Sequence, residues 1–107
     1  MNKRHFNHFN IAGFTYYEGV EVFHELKIGT VLTAVAEPAN QFDAYAVMLF
    51  YKDVKLGYIP RDSNKEVFKF LSCGHNELFE FRINRVDDKA TPENQIGVVA
   101  KIMPKGA

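Results

Sequence analysis

The chain has 107 residues, 47% of them hydrophobic and 14% aromatic, and its 13 basic and 13 acidic side chains cancel. That is one domain's length with the material for a core, which excludes a disordered polymer, and the zero balance excludes a dominant basic field, so a nucleic-acid contact has to come from a local patch. One cysteine, Cys73, excludes an intrachain disulfide or thiolate cluster and fits a reducing, cytoplasmic setting, and no apolar run reaches the roughly eighteen residues of a membrane span.

Residues 1–9 are polar, unlike a signal peptide, and read as a tail or the lead-in to a first strand. His5 and His8 lie in the repeated His-Phe-Asn triplets, but a metal would need further ligands, so none is assigned there. Residues 10–103 read as one domain and 104–107 as a short tail. Tyr16 and Tyr17, between Gly13 and Gly19, read as an extended pair whose side chains point opposite ways. One ring then enters the core and the other faces out to stack on a base, or both pack under the loop. Residues 20–26 are open between a short helix and an irregular loop closed by Gly29.

From Thr30 to Ala36, Val31, Thr33 and Val35 alternate with Leu32, Ala34 and Ala36; two largely apolar faces predict a central strand. In the turn after Pro38, Asn40 and Asp43 flank Phe42. Two readings stand: both hold the turn by bonding nearby backbone, or Asp43 accepts a sugar hydroxyl while Asn40 meets a base edge or terminal sugar. Tyr45–Tyr51 and Val54–Ile59 form a hairpin about Lys52-Asp53. Arg61 follows as a solvated cation or as a phosphate clamp at a helix N-terminus, where free N–H groups and the dipole favour anions.

Ser63-Asn64-Lys65-Glu66 matches a capping box, Val67, Phe70 and Leu71 form a stripe toward the sheet, and Gly74 supplies a left-handed stop. Leu78–Val86 puts Phe79, Phe81 and Ile83 inside, opposite Glu80, Arg82 and Asn84. A charged loop leads to a last strand, Gln95–Met103, with Ile96, Val98, Ala100 and Ile102 on one face. Five or six mostly antiparallel strands with one or two short helices predict a mainly β fold, curled into a partly open β-barrel that limits free edges. Catalysis finds little footing. Glu37 and Asp43 lack a third carboxylate for a metal, and His24 and His75 lack a Ser or Cys partner, so the chain reads as no enzyme, with no cofactor.

Three blocks, Ala12-Gly13-Phe14-Thr15-Tyr16-Tyr17-Glu18-Gly19, Glu37 through Val47, and Leu56-Gly57-Tyr58-Ile59-Pro60-Arg61, resemble in this order and spacing the signature of the HIRAN domain. This is a small β-barrel module found at the front of some DNA-repair helicases and alone in many short bacterial proteins. The resemblance covers about residues 10–74; the last two strands match in pattern. It implies a modified oligonucleotide-binding (OB-like) barrel that recognises the free 3′ end of single-stranded DNA, with Asn40 and Asp43 lining the terminal nucleotide's pocket. Phe42 stands where the family has a stacking Tyr, and Arg61 matches a basic position. Tyr58 stands where DNA-binding members carry His and Thr15 where they carry Arg, two lost cations that predict weak binding. The expectation is a non-enzymatic module holding single-stranded DNA through Tyr16, Tyr17, Asn40, Phe42, Asp43, Tyr58 and Arg61. No metal, cofactor or membrane is expected, and a DNA-processing protein is a second candidate partner. The alternative is a protein-interaction or structural module that kept the barrel and lost the DNA pocket. What separates them is whether the rings of Tyr16, Tyr17, Phe42 and Tyr58 converge with Arg61 in one groove.

Overall fold

Period-two alternation is written into most of the chain, and the computed structural model, which describes residues 2–106, shows it as six strands. These are β1 (Arg4–Asn10), β2 (Val31–Ala36), β3 (Val47–Tyr51), β4 (Val54–Tyr58), β5 (Phe79–Val86) and β6 (Ile96–Ile102), with one α-helix, α1 (Lys65–Ser72). Short 3₁₀ segments cover Phe14–Tyr16, Glu18–Glu25 and Pro92–Asn94. The strands form one antiparallel sheet in the order β1-β6-β5-β2-β3-β4. On β5, Phe79, Phe81 and Ile83 are buried, while Glu80 and Arg82 pair on the outer face with Lys3 joining them. The core gathers Ile11, Phe14, Leu49, Leu56, Ile59, Val67, Ile83, Ile96 and Val98. Among the described residues no helix is long and apolar enough to cross a membrane.

The sheet curls but does not close into a barrel. Its two edges touch at an isolated bridge: Ala12 N–H donates to Tyr58 O at 2.8 Å and Tyr58 N–H to Ala12 O at 2.9 Å. Gly57 allows that approach, because a Cβ there would lie 2.3 Å from the Ala12 carbonyl oxygen. The β3–β4 hairpin turns at Lys52-Asp53, with Lys52 at φ 52°. The tail histidines lie on β1, and His5 Nε2 and His8 Nδ1 are hydrogen-bonded at 3.1 Å.

Several expectations need correction. The capping box does not form. Ser63 Oγ donates to Asp62, and Asn64, the residue that precedes the helix, is 1% exposed with its amide turned to Asp43. Val67 and Leu71 are buried as the stripe requires, but Phe70 is half exposed, packing its ring edgewise on Phe79. β2 is central in strand order, yet Val31, Thr33 and Val35 face solvent. The segment holding Tyr16 is a 3₁₀ turn, not an extended strand, and the ring that enters the core is Phe14. Residues 20–26 belong largely to the 3₁₀ segment Glu18–Glu25.

Candidate nucleic-acid interface

The turn between β2 and β3 is built by one side chain. Asn40 Oδ1 accepts the backbone N–H groups of Phe42 (2.8 Å) and Asp43 (2.9 Å), closing an Asx-type turn, and its Nδ2 donates to Glu37 Oε1 at 2.7 Å. Asp43 continues the pattern: Oδ1 accepts Tyr45 N–H at 2.9 Å and Oδ2 accepts Asn64 Nδ2 at 2.9 Å. The turn is thereby bolted to the start of α1. Arg61, from the same junction, donates Nη2 to the Phe42 carbonyl at 2.8 Å and sets Nε 3.8 Å from Asp43 Oδ2. Its side chain remains 73% exposed, so the guanidinium is anchored on one side and open on the other.

β4 forms the facing wall. The Tyr58 hydroxyl donates to Glu37 Oε1 at 2.7 Å and accepts Lys55 Nζ at 2.8 Å. That ammonium also sits 4.3 Å from the Tyr17 ring centroid and 4.4 Å from that of Tyr58, and the two rings meet edgewise at 5.9 Å. Glu37, bonded by Asn40 and Tyr58, is held below the usual carboxylate range. Tyr58 is pushed up by burial and by its bond to Glu37, and Tyr17 by burial against an opposing pull from Lys55.

These walls enclose a cleft of about 420 Å³, lined by Tyr17, Asn40, Phe42, Asp43, Tyr58 and Arg61 together with Ala12, Gly13, Ala46 and Ile59. Six of the seven expected residues thus meet in one place. Tyr16 does not: it is 85% exposed and outside the lining. Phe42 is 83% exposed at the rim, its ring face free.

Glu37, Lys55 and Asn64 escaped the sequence reading as parts of the site. Period-two parity puts Lys55 and Tyr58 on opposite faces of a regular strand. The register instead passes from Leu49 opposite Gly57 to Phe50 opposite Lys55, so Leu56 is an extra, bulged residue and the two side chains share a face. Glu37, in sequence a candidate metal ligand alone, lies three residues before Asn40, and that spacing is the local signal of their bond. Nothing local marks Asn64, whose partner lies 21 residues away. Among the described residues no group of three or more metal-ligating side chains is assembled.

The family model of the HIRAN domain matches residues 6–103. A crystal structure of a protein from Lactobacillus plantarum, a structural-genomics target, superposes with a TM-score of 0.79 over 94% of this chain and 95% of that one, at 18% sequence identity. That likeness speaks for the fold. No curated protein sequence matches the chain.

Proposed function

The chain belongs to the HIRAN domain family, DNA-binding modules that are not catalytic by themselves, and on that footing we propose that it binds single-stranded DNA at its 3′ end, without catalysis, in the cleft between the 37–46 turn and β4. One observation carries the reading: six residues expected from the sequence line one cleft. Phe42 offers a stacking face at the rim, an interaction worth about 1–3 kcal/mol per base. Arg61 offers its open side to a phosphate. Asp43 has one donor on each carboxylate oxygen, which leaves lone pairs for a sugar hydroxyl. Asn40 spends three of its four hydrogen bonds on the turn and keeps one N–H for a ligand. The lone Cys73 and this ligand together suit a cytoplasmic protein working beside DNA-processing enzymes.

The test is the end of the strand. A 3′ phosphate sets negative charge against Asp43 and should weaken binding at least about fivefold, roughly 1 kcal/mol, whereas a 5′ phosphate should leave it unchanged. Fluorescence anisotropy of labelled oligonucleotides measures both. Equal affinity for the two blocked ends removes end recognition, and no binding of the 3′-hydroxyl strand at low salt hands the fold to the protein-interaction reading.

A further inference from the structure

β2 and β5 pair at only two positions, Val31 with Arg82 and Leu32 with Phe81. Beyond Leu32 the strands part company: β2 runs on to Ala36 against β3, and β5 begins at Phe79 against β6. The direction of the unpaired backbone follows from the ladders. Glu37 N–H bonds Ala46 O, and stepping back by two puts the N–H and C=O of Val35 and Thr33 on the β3 side. Ala34 and Ala36 alternate with them and aim theirs toward β5. Met103 N–H bonds Leu78 O, so by the same parity Phe79 aims its N–H and C=O toward β2. Among the described residues, no registered strand pair joins any of these three across the gap.

A groove of about 750 Å³ occupies the gap, floored by Leu32, Phe79 and Phe81 and walled by Pro38, Leu71 and Asn76. No ionisable side chain lines it. On the outer face of the same stretch, Val31 and Val35 are 52% and 40% exposed. The groove shares no lining residue with the Tyr17–Arg61 cleft.

We propose that this seam is a second binding site, which takes an extended, uncharged peptide segment of a partner protein by strand addition. The uncharged lining and the backbone edge select the occupant: a phosphodiester finds no counter-charge here, whereas a peptide backbone finds an edge to pair with. Alternate side chains of the added strand pack on Leu71 and Phe79 inside and beside Val35 outside.

Amide hydrogen exchange on the whole chain tests it first. In the free protein the Ala34, Ala36 and Phe79 amides should exchange at least about tenfold faster than those of Thr33 and Val35; equal protection means a closed seam and overturns the proposal. A random hexapeptide library selected against the chain should then yield peptides of alternating apolar residues that slow those three amides. Methylating alternate backbone nitrogens of a selected peptide should abolish binding, and so should Val35→Lys, which lies on the exposed face, while Arg61→Ala should not. The proposal fails if no selected peptide slows the three amides or if N-methylated peptides bind equally well. Slowing caused by raised protein concentration alone would assign the seam to a second copy of this chain, against a separate partner.

Discussion

The Tyr58 hydroxyl and the Glu37 carboxylate, one on β4 and one at the end of β2, share a 2.7 Å hydrogen bond on which two further contacts converge. Asn40 donates to the same Glu37 oxygen, and Lys55 donates to the Tyr58 hydroxyl. The result is a chain Lys55→Tyr58→Glu37←Asn40 that ties the strand wall of the cleft to its turn. Tyr58→Phe keeps the ring but removes the hydroxyl that links the Lys55 ammonium to the Glu37 carboxylate. It should cost about 1–2 kcal/mol, between the net worth of an ordinary hydrogen bond and that of one to a charged group, read from urea unfolding.

The same bonds set a pH dependence. Glu37 has a lowered carboxyl pKa when folded, through its bonds to Asn40 and Tyr58. The folded state therefore prefers the ionised form. That stability is fully present above the unfolded value of about 4.3 and is lost as pH falls through the lowered folded value. Tyr58 works in the opposite sense. Burial and the bond to Glu37 raise it, so its share is present below about pH 10 and is lost as pH rises through the folded value. Urea midpoints from pH 3 to 7 should fall less toward the acid end in Glu37→Gln than in the parent. Parallel curves would mean that the network does not feel its charge.

Asn40→Ala removes both bonds that close the turn and the donor to Glu37. The expected loss is about 1–2 kcal/mol, comparable with removal of a helix cap. A sharper readout is local: the Phe42 and Asp43 amides, held by Asn40 Oδ1 at 2.8 and 2.9 Å, should lose exchange protection, while those of β5 and β6 keep theirs. Asn40→Asp keeps the acceptor but sets a second carboxylate against Glu37, and should raise the Glu37 pKa.

Gly57→Ala acts at the meeting of the sheet edges. A methyl group 2.3 Å from Ala12 O has to push backbone away, because no flexible side-chain end can yield. Overpacking of this kind costs about 1–3 kcal/mol, and it should expose the Ala12 and Tyr58 amides to exchange. An unchanged unfolding midpoint would mean that the bridge carries no stability.

Most of the sheet was legible because each strand announces its own period: Phe79, Phe81 and Ile83 on β5, and Ile96, Val98 and Ala100 on β6, are the buried sets that alternation names. The hairpin turn and the Gly74 stop were legible for the same local reason. What failed was long-range. Ser63 fits a cap by spacing, but Asn64 is needed 21 residues away by Asp43, and that tertiary demand shapes the helix start. Lys55 was hidden by a bulge that reverses parity. Tyr16 lies in a 3₁₀ turn, which no periodicity in three residues can reveal, and the ring that enters the core there is Phe14. Of the cleft, the sequence supplied the lining, and the folded chain supplied the network behind it.

Salt separates the two cations of the cleft. Lys55 is half-buried, bonded to the Tyr58 hydroxyl and set against the Tyr17 and Tyr58 rings, so its first role is to shape the wall. Arg61 is anchored through Phe42 O but 73% exposed, and under the proposed function it is the cation that meets the DNA backbone. With one or two phosphate contacts, log K against log salt should fall with a slope of only about −0.7 to −1.4 for a single strand. Arg61→Ala should weaken binding and flatten that slope by about 0.7, with the melting temperature almost unmoved because an exposed ion pair contributes roughly 0–1 kcal/mol. Lys55→Met should weaken binding by loosening Tyr17 and Tyr58, yet leave the slope as it was. A parent slope much steeper than −1.4 would mean more phosphate contacts than this neutral chain offers in the cleft. If Arg61→Ala binds a 3′-ended oligonucleotide as well as the parent, Arg61 is a solvated cation that braces a turn, and the protein-interaction reading takes the place of DNA binding.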